Sequence, residues 1–556
     1  MTEVPHLPAA PPALNPQRWK AMPIIALAVS TIIMDATIVA VVLPVLIRDI
    51  NLTASDAEWI DSVYAPVFAS LLITVGRIGD IFGRRRRLLV VGIAIFGFAS
   101  VLAAMSYSGT TLKAGRLLQG VGGAMILPAT LSTVNALFHG RERGIAFAIW
   151  GLTIAGMAAV RPVVGGWLTT SFTWRWAFLI NIPIVLIVLV GTLLWVPETK
   201  DEHVERRVDL LGVALSIVGL GCVVFALIEG ARYGWWAALE PLTINGFSWT
   251  WFISPVPVSM VFGMLMLTVF VVVERAKARA GSPALLDLSL LGIRSVRCGA
   301  IAALIVALGE FGMLFALPLF LQGALGYTAL HTGWLILALA VGTFLISGGI
   351  PQLTQRLGGR SVVRIGLLLE AVAITGLGFT ISLTASGGVL AARLFLYGAG
   401  VGMATAQLTS VILIDVPVAQ SGQASGLQST VRQLGAALGM AVLGTLLVTT
   451  LGVATAHNLS SVPGLSEPAR ELAMAIVSGS AGAAVPELGA IPGGRPVQAA
   501  AEPAMVTAAR TTTLSAAAII LLGLLATIAL PPMKPQDEES QSEVAVVRPR
   551  PEAALE

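Results

Sequence analysis

The sequence predicts an all-α membrane protein with about fourteen transmembrane helices, and three observations support this fold class. Only 12% of the 556 residues are charged and 56% are hydrophobic, whereas a soluble domain carries about 25% charged residues. Apolar runs that reach the roughly 20 residues needed to cross a bilayer recur along the chain. Most of the 34 Lys and Arg residues lie in alternate loops between these runs, which is typical of basic loops that face the cytoplasm.

The apolar runs define the order of the predicted helices. Candidate spans lie near residues 22–47, 57–77, 88–107, 111–137, 145–170, 177–196, 208–229, 253–273, 298–322, 330–350, 361–383, 388–412, 422–447 and 511–530. We place the N-terminus in the cytoplasm, and an even number of spans then returns the C-terminus to the same side. An odd number would expose the basic loops of the second half to the outside, against the usual distribution.

The segments outside the spans contain no recognisable catalytic domain. Residues 1–21 form a Pro-rich cytoplasmic tail without the features of a signal peptide. Residues 531–556 are predicted to be a disordered cytoplasmic tail. Residues 448–510 are predicted to be a long outside loop with a short interfacial helix near 467–478. The net charge of +4 resides in loops, so it reflects membrane topology and does not indicate a nucleic-acid partner.

A weak internal repeat divides the chain. The basic segment GRIGDIFGRRRR (76–87) precedes GRLLQGVGGAM (115–125), and TQRLGGR (354–360) precedes ARLFLYGAGVGM (392–403) at a similar spacing. We therefore predict a six-helix bundle over 22–196, a linker with helices seven and eight over 197–275, and a second six-helix bundle over 276–530. Parallel repeats of this kind place the substrate site near the midplane, between the two halves.

Ionisable side chains at bilayer depth identify candidate functional residues, because each costs about 2.5–3.5 kcal/mol to insert. Asp35 is central in the first span, and Glu310 lies at the matching depth in the second half. Each is either a proton or cation site or a structural carboxylate that pairs with a neighbouring helix. Glu370 either faces a neighbouring helix or lines the substrate pathway. Histidines fall only in loops or at span edges, so carboxylates are expected to carry any protons.

Two further pairings follow from helical spacing and from charge. Asp61 and Tyr64 lie one turn apart on one face, near the outer end of the second span, where they would meet a cationic substrate. Arg116 opens the fourth span beside small residues that favour tight packing. Because an unpaired charge at this depth is costly, Asp35 is a plausible partner for Arg116.

The inner end of the second span carries the strongest local pattern. It consists of Gly76, Asp80, Gly83, Arg84 and Arg85. The glycines allow close backbone approach, and Asp80 can cap a helix or pair with an arginine. We interpret this segment as a cytoplasmic gate that shifts during transport, while the alternative is a plain topology signal made by the arginines.

In the fifth span, small residues lead to Pro162, Gly165 and Gly166. Small residues spaced four apart give a flat packing face, and a proline can kink the helix.

These segments resemble the major facilitator superfamily, in its fourteen-span drug:proton antiporter branch of quaternary-ammonium and multidrug exporters. The resemblance rests on MDATIVAVVLP (34–44), the loop and fourth-helix segments quoted above, and WRWAFLINIP (174–183), and it extends over about residues 20–530. It implies a twelve-helix core in two bundles, two extra central helices, and export driven by inward proton flow. It also implies that Asp35 is the coupling carboxylate, Arg116 its relay partner, and Asp80 with Arg84 the inner gate.

One residue departs from the pattern of that branch. The fifth helix reads AAVRPVVGG (158–166), with Arg161 where the branch has glycine. Arg161 either pairs with a membrane carboxylate such as Glu310, recognises an anionic or polar substrate, or impairs coupling. Pairing is favoured because an unpaired buried charge is costly.

Together these features predict a transporter and not an enzyme. We expect proton-coupled efflux of small lipophilic drugs or antibiotics across a bacterial cell membrane, by a monomer in the lipid bilayer that uses the proton gradient and no cofactor. The alternative is a dedicated exporter of one metabolite, such as a self-made antibiotic, lipid or siderophore, which is anionic if Arg161 recognises it. The sequence contains no phosphate-binding loop of the type G-x-x-x-x-G-K, and its Cys222 and Cys298 form no metal cluster.

Overall fold

The computed structural model describes most of the chain outside the two tails. It covers residues 18–50, 59–60, 63–82, 85–138, 142–151, 153–154, 157, 164, 172–198, 209–244, 247–280, 282, 284–417, 420–463, 465–489 and 494–530. Within these ranges, the description of residues 36–48, 80, 82, 231, 244, 247, 329–330, 347, 351 and 406 extends to the backbone alone.

Fourteen helices are numbered here in chain order. The first half contains α1 (Arg18–Asp49), α2 (Tyr64–Phe82), α3 (Arg85–Ala104), α4 (Gly109–Leu137), α5 (142–151) and α6 (Trp176–Trp195). Then follow α7 (Leu210–Tyr233) and α8 (Pro255–Arg279). The second half contains α9 (Arg294–Gly323), α10 (Ala329–Ser347), α11 (Gly359–Thr380), α12 (Gly387–Leu413), α13 (Ser421–Ser460) and α14 (Arg495–Ala526).

Each predicted span overlaps one of these helices in the described part of the chain. Among the described residues, 10 helices are long and apolar enough to cross a membrane. The apolar parts of α2 (Tyr64–Gly79) and α10 (His331–Ile346) are shorter. Helix α1 covers the first predicted span, and α5 covers the beginning of the fifth. The all-α membrane fold predicted from hydropathy is therefore confirmed.

Local sequence explains where several helices begin. Ser108, Thr328 and Ser386 precede α4, α10 and α12, and each side chain accepts a hydrogen bond from a backbone N–H in the first turn. Such caps satisfy donors that would otherwise lack partners at a helix start. Gly358, with φ of +78°, lets the chain turn sharply between the short helix Ile350–Leu357 and α11.

Helix packing places α7 beside the boundary between the halves. Helices α3 and α4 pack together in the first half, as do α11 and α12 in the second, and α2 packs against α13 across the boundary. Helix α7 contacts α2, α13 and α8. Helix α8 is largely exposed, since only 17% of its most apolar 18-residue segment is buried inside the protein. This helix therefore presents an apolar surface to lipid.

The segment 448–510 differs from the expected loop. Helix α13 continues to Ser460 and α14 already begins at Arg495, with a short helix Glu467–Gly479 between them, close to the predicted 467–478. Leu451 and Leu459 on α13, and Val497 and Met505 on α14, are buried in one apolar cluster. These alanine-rich extensions are too weakly apolar to resemble spans, yet they form helices because each has an apolar side to bury.

The connection between α7 and α8 also contains structure that the sequence did not predict. Thr243–Ile244 pairs with Phe247–Ser248 as a short antiparallel ladder.

Candidate functional site

The centre of the first bundle holds a fully buried ion pair. Arg116 in α4 donates from Nη1 to Oδ2 of Asp35 in α1 at 2.6 Å, and both side chains are 0% exposed. The structure thus places these two residues together, as the cost of unpaired charge at this depth suggested. Charge-assisted hydrogen bonds of this length are among the stronger polar contacts in proteins.

Three neutral side chains complete the surroundings of the carboxylate. Asp35 Oδ1 accepts hydrogen bonds from Gln119 Nε2 at 2.7 Å and from Asn181 Nδ2 at 3.0 Å. The same two amides also donate to Ser100 Oγ, at 3.0 Å from Gln119 and 3.2 Å from Asn181. Both oxygens of Asp35 therefore accept hydrogen bonds, from donors in α4 and α6, and such donors favour the ionised form of a carboxyl group.

The guanidinium of Arg116 has further contacts beyond Asp35. It donates to the backbone oxygen of Ile60 at 3.1 Å and to Gln119 Oε1 at 3.0 Å. It also lies 4.8 Å from the centre of the Tyr64 ring, which stacks on Phe68. Tyr64 is thus part of the shell around Arg116. Asp61, its predicted partner, lies outside the described residues.

This arrangement suits a group that binds and releases a proton. Ionised Asp35 and Arg116 are electrically neutral together, so the pair is tolerated in an apolar interior. Protonation of Asp35 would remove the negative charge that holds Arg116 and would leave a cation with weaker partners. A single proton can therefore change the balance of forces between α1 and α4.

The second bundle also contains a buried acid with a basic partner. Glu310 in α9 lies 3.7 Å from Arg432 Nη2 in α13, and its Oε1 accepts a hydrogen bond from Thr405 Oγ1 at 3.3 Å. Within the described part of the chain, the ion-pair partner of Glu310 is Arg432. Because several spans carry an arginine, charge alone did not determine which one lies beside Glu310. Arg161 lies outside the described residues.

Glu370 in α11 lies deep in the same bundle. Its side chain is 0% exposed and packs against the backbone of Gly400, where a Cβ would lie 2.6 Å from Glu370 Cγ. A residue with no exposed surface in this position does not line an open substrate pathway in the conformation described.

The predicted gate residues are only partly described. Gly76 packs directly against Gly422 at the start of α13, and Arg85 is buried at the start of α3. The backbone of Asp80 lies in α2, but its side chain lies outside the described part of the structure. Gly83 and Arg84 lie outside the described residues altogether.

Other contacts join the two halves at the same end of the bundle. Asn135 at the end of α4 donates to Ser421 Oγ at 3.1 Å, and Arg143 in α5 approaches the Ser410 backbone oxygen at 3.5 Å. We call this end, which also carries Arg18 and Arg85–Arg87, the Arg-rich end. Here the halves are closed against each other.

The helix-packing residues Pro162, Gly165 and Gly166 lie outside the described residues. Among the described residues, no group of three or more His, Cys, Asp or Glu side chains is placed to hold a metal ion.

Ser100 and Asn181 do not stand out in the sequence as candidate site residues. Both are neutral polar residues in apolar surroundings, and Asn181 occurs within the quoted segment WRWAFLINIP. A buried amide at bilayer depth was the available signal, because such groups need hydrogen-bond partners.

Comparison with known proteins places this architecture in a family. The chain is 33% identical over 477 residues to a probable actinorhodin transporter of Streptomyces coelicolor, which covers 84% of this chain and 78% of that protein. It is 32% identical over 430 residues to the multidrug efflux pump LfrA of Mycolicibacterium smegmatis, which covers 77% of this chain and 80% of the relative.

A solved structure and a family profile agree with these relatives. The human organic anion transporter MFSD10 has the same fold, with a TM-score of 0.58 at 14% identity, over 92% of this chain and 100% of that structure. Residues 25–440 match the profile of the Major Facilitator Superfamily. The protein is therefore a multi-pass membrane transporter that belongs to the Major Facilitator Superfamily.

Proposed function

We propose that this protein exports small lipophilic drugs or antibiotics across a bacterial cell membrane in exchange for protons. The names of two relatives, a probable actinorhodin transporter and a multidrug efflux pump, support an export function. The uneven distribution of Lys and Arg supports an orientation with both termini and the Arg-rich end in the cytoplasm. The protein acts as a monomer in the bilayer and requires the proton gradient but no cofactor.

The observation that carries the proposal is the buried contact between Asp35 and Arg116. Inward-moving protons reach Asp35, neutralise it and weaken its hold on Arg116. The resulting change in helix position alternates access to a substrate site between the halves. Gly76, with Asp80, Gly83, Arg84 and Arg85, forms the cytoplasmic gate, and Tyr64 supports Arg116. Asp61 contributes to the outer mouth.

The decisive experiment replaces the carboxylate and varies the proton gradient. Asp35→Asn in proteoliposomes should abolish efflux of a fluorescent dye driven by a pH gradient, because the amide cannot exchange a proton. Glu487→Gln is the matched control, since Glu487 is exposed in the connection between α13 and α14. Unchanged dependence on the pH gradient in the Asp35 variant would refute the coupling role of this residue.

A second candidate is dedicated export of one compound, including an anionic one. Its support is the relative named for a single product, actinorhodin, together with the unusual Arg161. A panel of cationic, neutral and anionic compounds, tested with and without a protonophore, separates the two candidates. Dedicated export predicts one transported compound and a changed profile in Arg161→Gly, whereas multidrug export predicts several compounds.

A further inference from the structure

The buried acids of the two bundles differ in how well their oxygens are satisfied. Asp35 accepts three hydrogen bonds of 2.6–3.0 Å from Arg116, Gln119 and Asn181. In the second bundle, neither carboxyl oxygen of Glu370 has a hydrogen-bond partner within the described part of the chain. An ionised carboxylate in that position would lack every compensating contact, at a cost of several kcal/mol.

Charge balance in the second bundle also disfavours an ionised Glu370. Glu310 and Glu370 are both buried, at 4% and 0% exposure. Both carboxyl groups lie close enough to Arg432 to interact with its charge, and Glu370 also interacts with the charge of Glu310. Two ionised carboxylates beside one guanidinium would leave a net negative charge in an apolar interior. One bound proton removes it. Since Glu310 has Thr405 and Arg432 as partners, Glu370 is the better place for that proton.

Other charged or titratable groups around α11 do not supply the missing positive charge. Arg393 and Tyr397 face α11 from α12, and Arg393 lies against Gly376, well along the helix from Glu370.

The remaining arginines near α11 lie at its ends. Arg510 on α14 donates to the Ile381 backbone at one end of α11. Arg360 and Arg364, in the first turns of α11, donate to backbone oxygens near the end of α14. Arg356 belongs to the short helix that precedes α11.

We propose that Glu310 and Glu370, together with Arg432, form a second proton-binding site in the C-terminal bundle, where Glu370 holds one proton in this conformation. The site deepens the proposed antiport and rests on it, because its proton is exchanged with the same gradient. The two bundles are then in opposite states: Asp35 is ionised while Glu370 is a neutral acid. The Arg432 contact at 3.7 Å is longer than a hydrogen bond. A closer approach of Arg432 would favour a second ionised carboxylate and release the proton to water.

Infrared spectroscopy tests the protonation state directly. At near-neutral pH the carboxylic acid C=O absorption of the wild type should decrease by one group in Glu370→Gln and should be unchanged in Asp35→Asn and Glu487→Gln. The glutamine side chain resembles the neutral acid in shape, so the variant should fold as the wild type does, which gel filtration and thermal unfolding will verify. An unchanged acid band in Glu370→Gln would overturn the proposal.

A second variant tests the charge balance without altering either acid. Arg432→Gln leaves two carboxyl groups without a counter-charge, so both should be protonated and the acid band should increase. If the band does not change in a folded Arg432 variant, the cluster does not adjust its protons to charge and the proposal fails.

Transport stoichiometry tests whether the proton is exchanged. In proteoliposomes, the reversal potential of substrate-coupled flux should show one proton fewer per substrate in Glu370→Gln than in the wild type. Equal stoichiometry would show that the second site does not exchange its proton during transport, and the proposal would fail.

The two sites can fail separately. If Asp35→Asn abolishes proton-driven efflux while Glu370→Gln changes nothing, the second site alone fails. If Asp35→Asn retains full proton dependence, the coupling role of Asp35 fails independently.

Discussion

Gly76 in α2 lies directly against Gly422 at the start of α13, so a Cβ on Gly76 would overlap the Gly422 carbonyl oxygen. One turn away, a Cβ on Gly426 would lie 2.6 Å from the backbone oxygen of Leu72. The two halves therefore meet backbone to backbone at the Arg-rich end. Such close approach is possible only where side chains are absent. This contact holds the two halves together on the side that we propose to be cytoplasmic.

Gly76→Ala should weaken this closure and reduce efflux, because the new methyl group meets backbone atoms that cannot rotate away. Gly79→Ala is the matched control on the same helix. Its Cβ would approach only Cδ2 of Leu88, at 3.1 Å, which is the end of a flexible side chain. We expect efflux by the Gly79 variant to be close to that of the wild type.

Cysteine cross-linking measures the closure itself. Asn135→Cys and Ser421→Cys introduce a pair where the side chains now touch at 3.1 Å, in a background with Cys222→Ala and Cys298→Ala. In this background the pair should cross-link readily when Gly76 is present and less when Gly76→Ala is added. Equal cross-linking in both would show that the Gly76 contact does not control the closed state.

The Asp35–Arg116 pair should behave as one unit in stability. Removing one partner of a buried pair typically costs about 3–5 kcal/mol, because the other charge is left buried. Arg116→Gln should therefore lower the thermal stability strongly, and Asp35→Asn should do so as well. The double variant should regain much of the loss, because no charge remains, but it should not regain proton-driven efflux.

Thermal unfolding of the two single variants and the double variant in detergent provides this double-mutant cycle. The comparison pair is Arg470 with Glu467, an exposed contact worth about 0–1 kcal/mol. Additive losses in the Asp35–Arg116 cycle would contradict a direct energetic coupling between these two residues.

Asp209 stabilises the beginning of α7 from outside the span. Its Oδ1 accepts a hydrogen bond from the Gly212 backbone N–H at 2.8 Å, and Lys277 of α8 forms an ion pair with it. Burial acts to raise the pKa of Asp209, but the Gly212 hydrogen bond and the Lys277 and Glu274 side chains outweigh it, so the pKa lies below its usual value. Asp209→Ala should cost about 0.5–2 kcal/mol, as expected for a lost helix cap.

The pH dependence of this effect has a definite sign. Because the native pKa of Asp209 is lowered, its contribution to stability is complete above the ordinary value of 3.8 and is lost as the pH falls through the lower native value. The difference in unfolding temperature between wild type and Asp209→Ala should therefore shrink in acid. Asp209→Asn keeps a capping side chain but loses the ion pair, so it should be intermediate. A difference that grows in acid would contradict this assignment.

Hydropathy predicted the helices well because each span requires a long apolar run. Such a run can be recognised in the sequence without knowledge of the fold. Asp35 and Arg116 were found for a related reason, since a charge within such a run is rare and costly. The extensions of α13 and α14 through 448–510 were not predicted as helices. Their alanine-rich sequences favour helix formation but lack the apolar content of a span.

The contacts within the sites were harder to predict than the residues. Which arginine lies beside Glu310 depends on how α9 is rotated about its axis relative to α13. The sequence pattern does not predict this rotation. Ser100 and Asn181 illustrate a second difficulty. Neutral polar side chains are common in transmembrane helices, so their positions do not stand out until α1, α3, α4 and α6 are brought together.

Asn181 provides a test of whether these neutral residues matter for transport. Its amide donates to both Asp35 Oδ1 and Ser100 Oγ, and the side chain is 0% exposed. Asn181→Ala removes one of the three donors to Asp35 while leaving Arg116 and Gln119 in place. We expect proton-driven efflux to fall by about 10- to 150-fold, since one hydrogen bond to a charged group is worth about 1.5–3 kcal/mol.

The matched control for this variant is Asn458→Ala. Asn458 also donates through its amide, to the Ala500 backbone oxygen at 2.9 Å, but it lies in the extension of α13, far along the chain from the Asp35 site. It should lose a similar contact without loss of coupling. Dye efflux driven by a pH gradient, compared with energy-independent dye binding, separates a coupling defect from a binding defect. Equal efflux by the two variants would mean that Asn181 serves packing alone and that Arg116 and Gln119 suffice to hold the carboxylate.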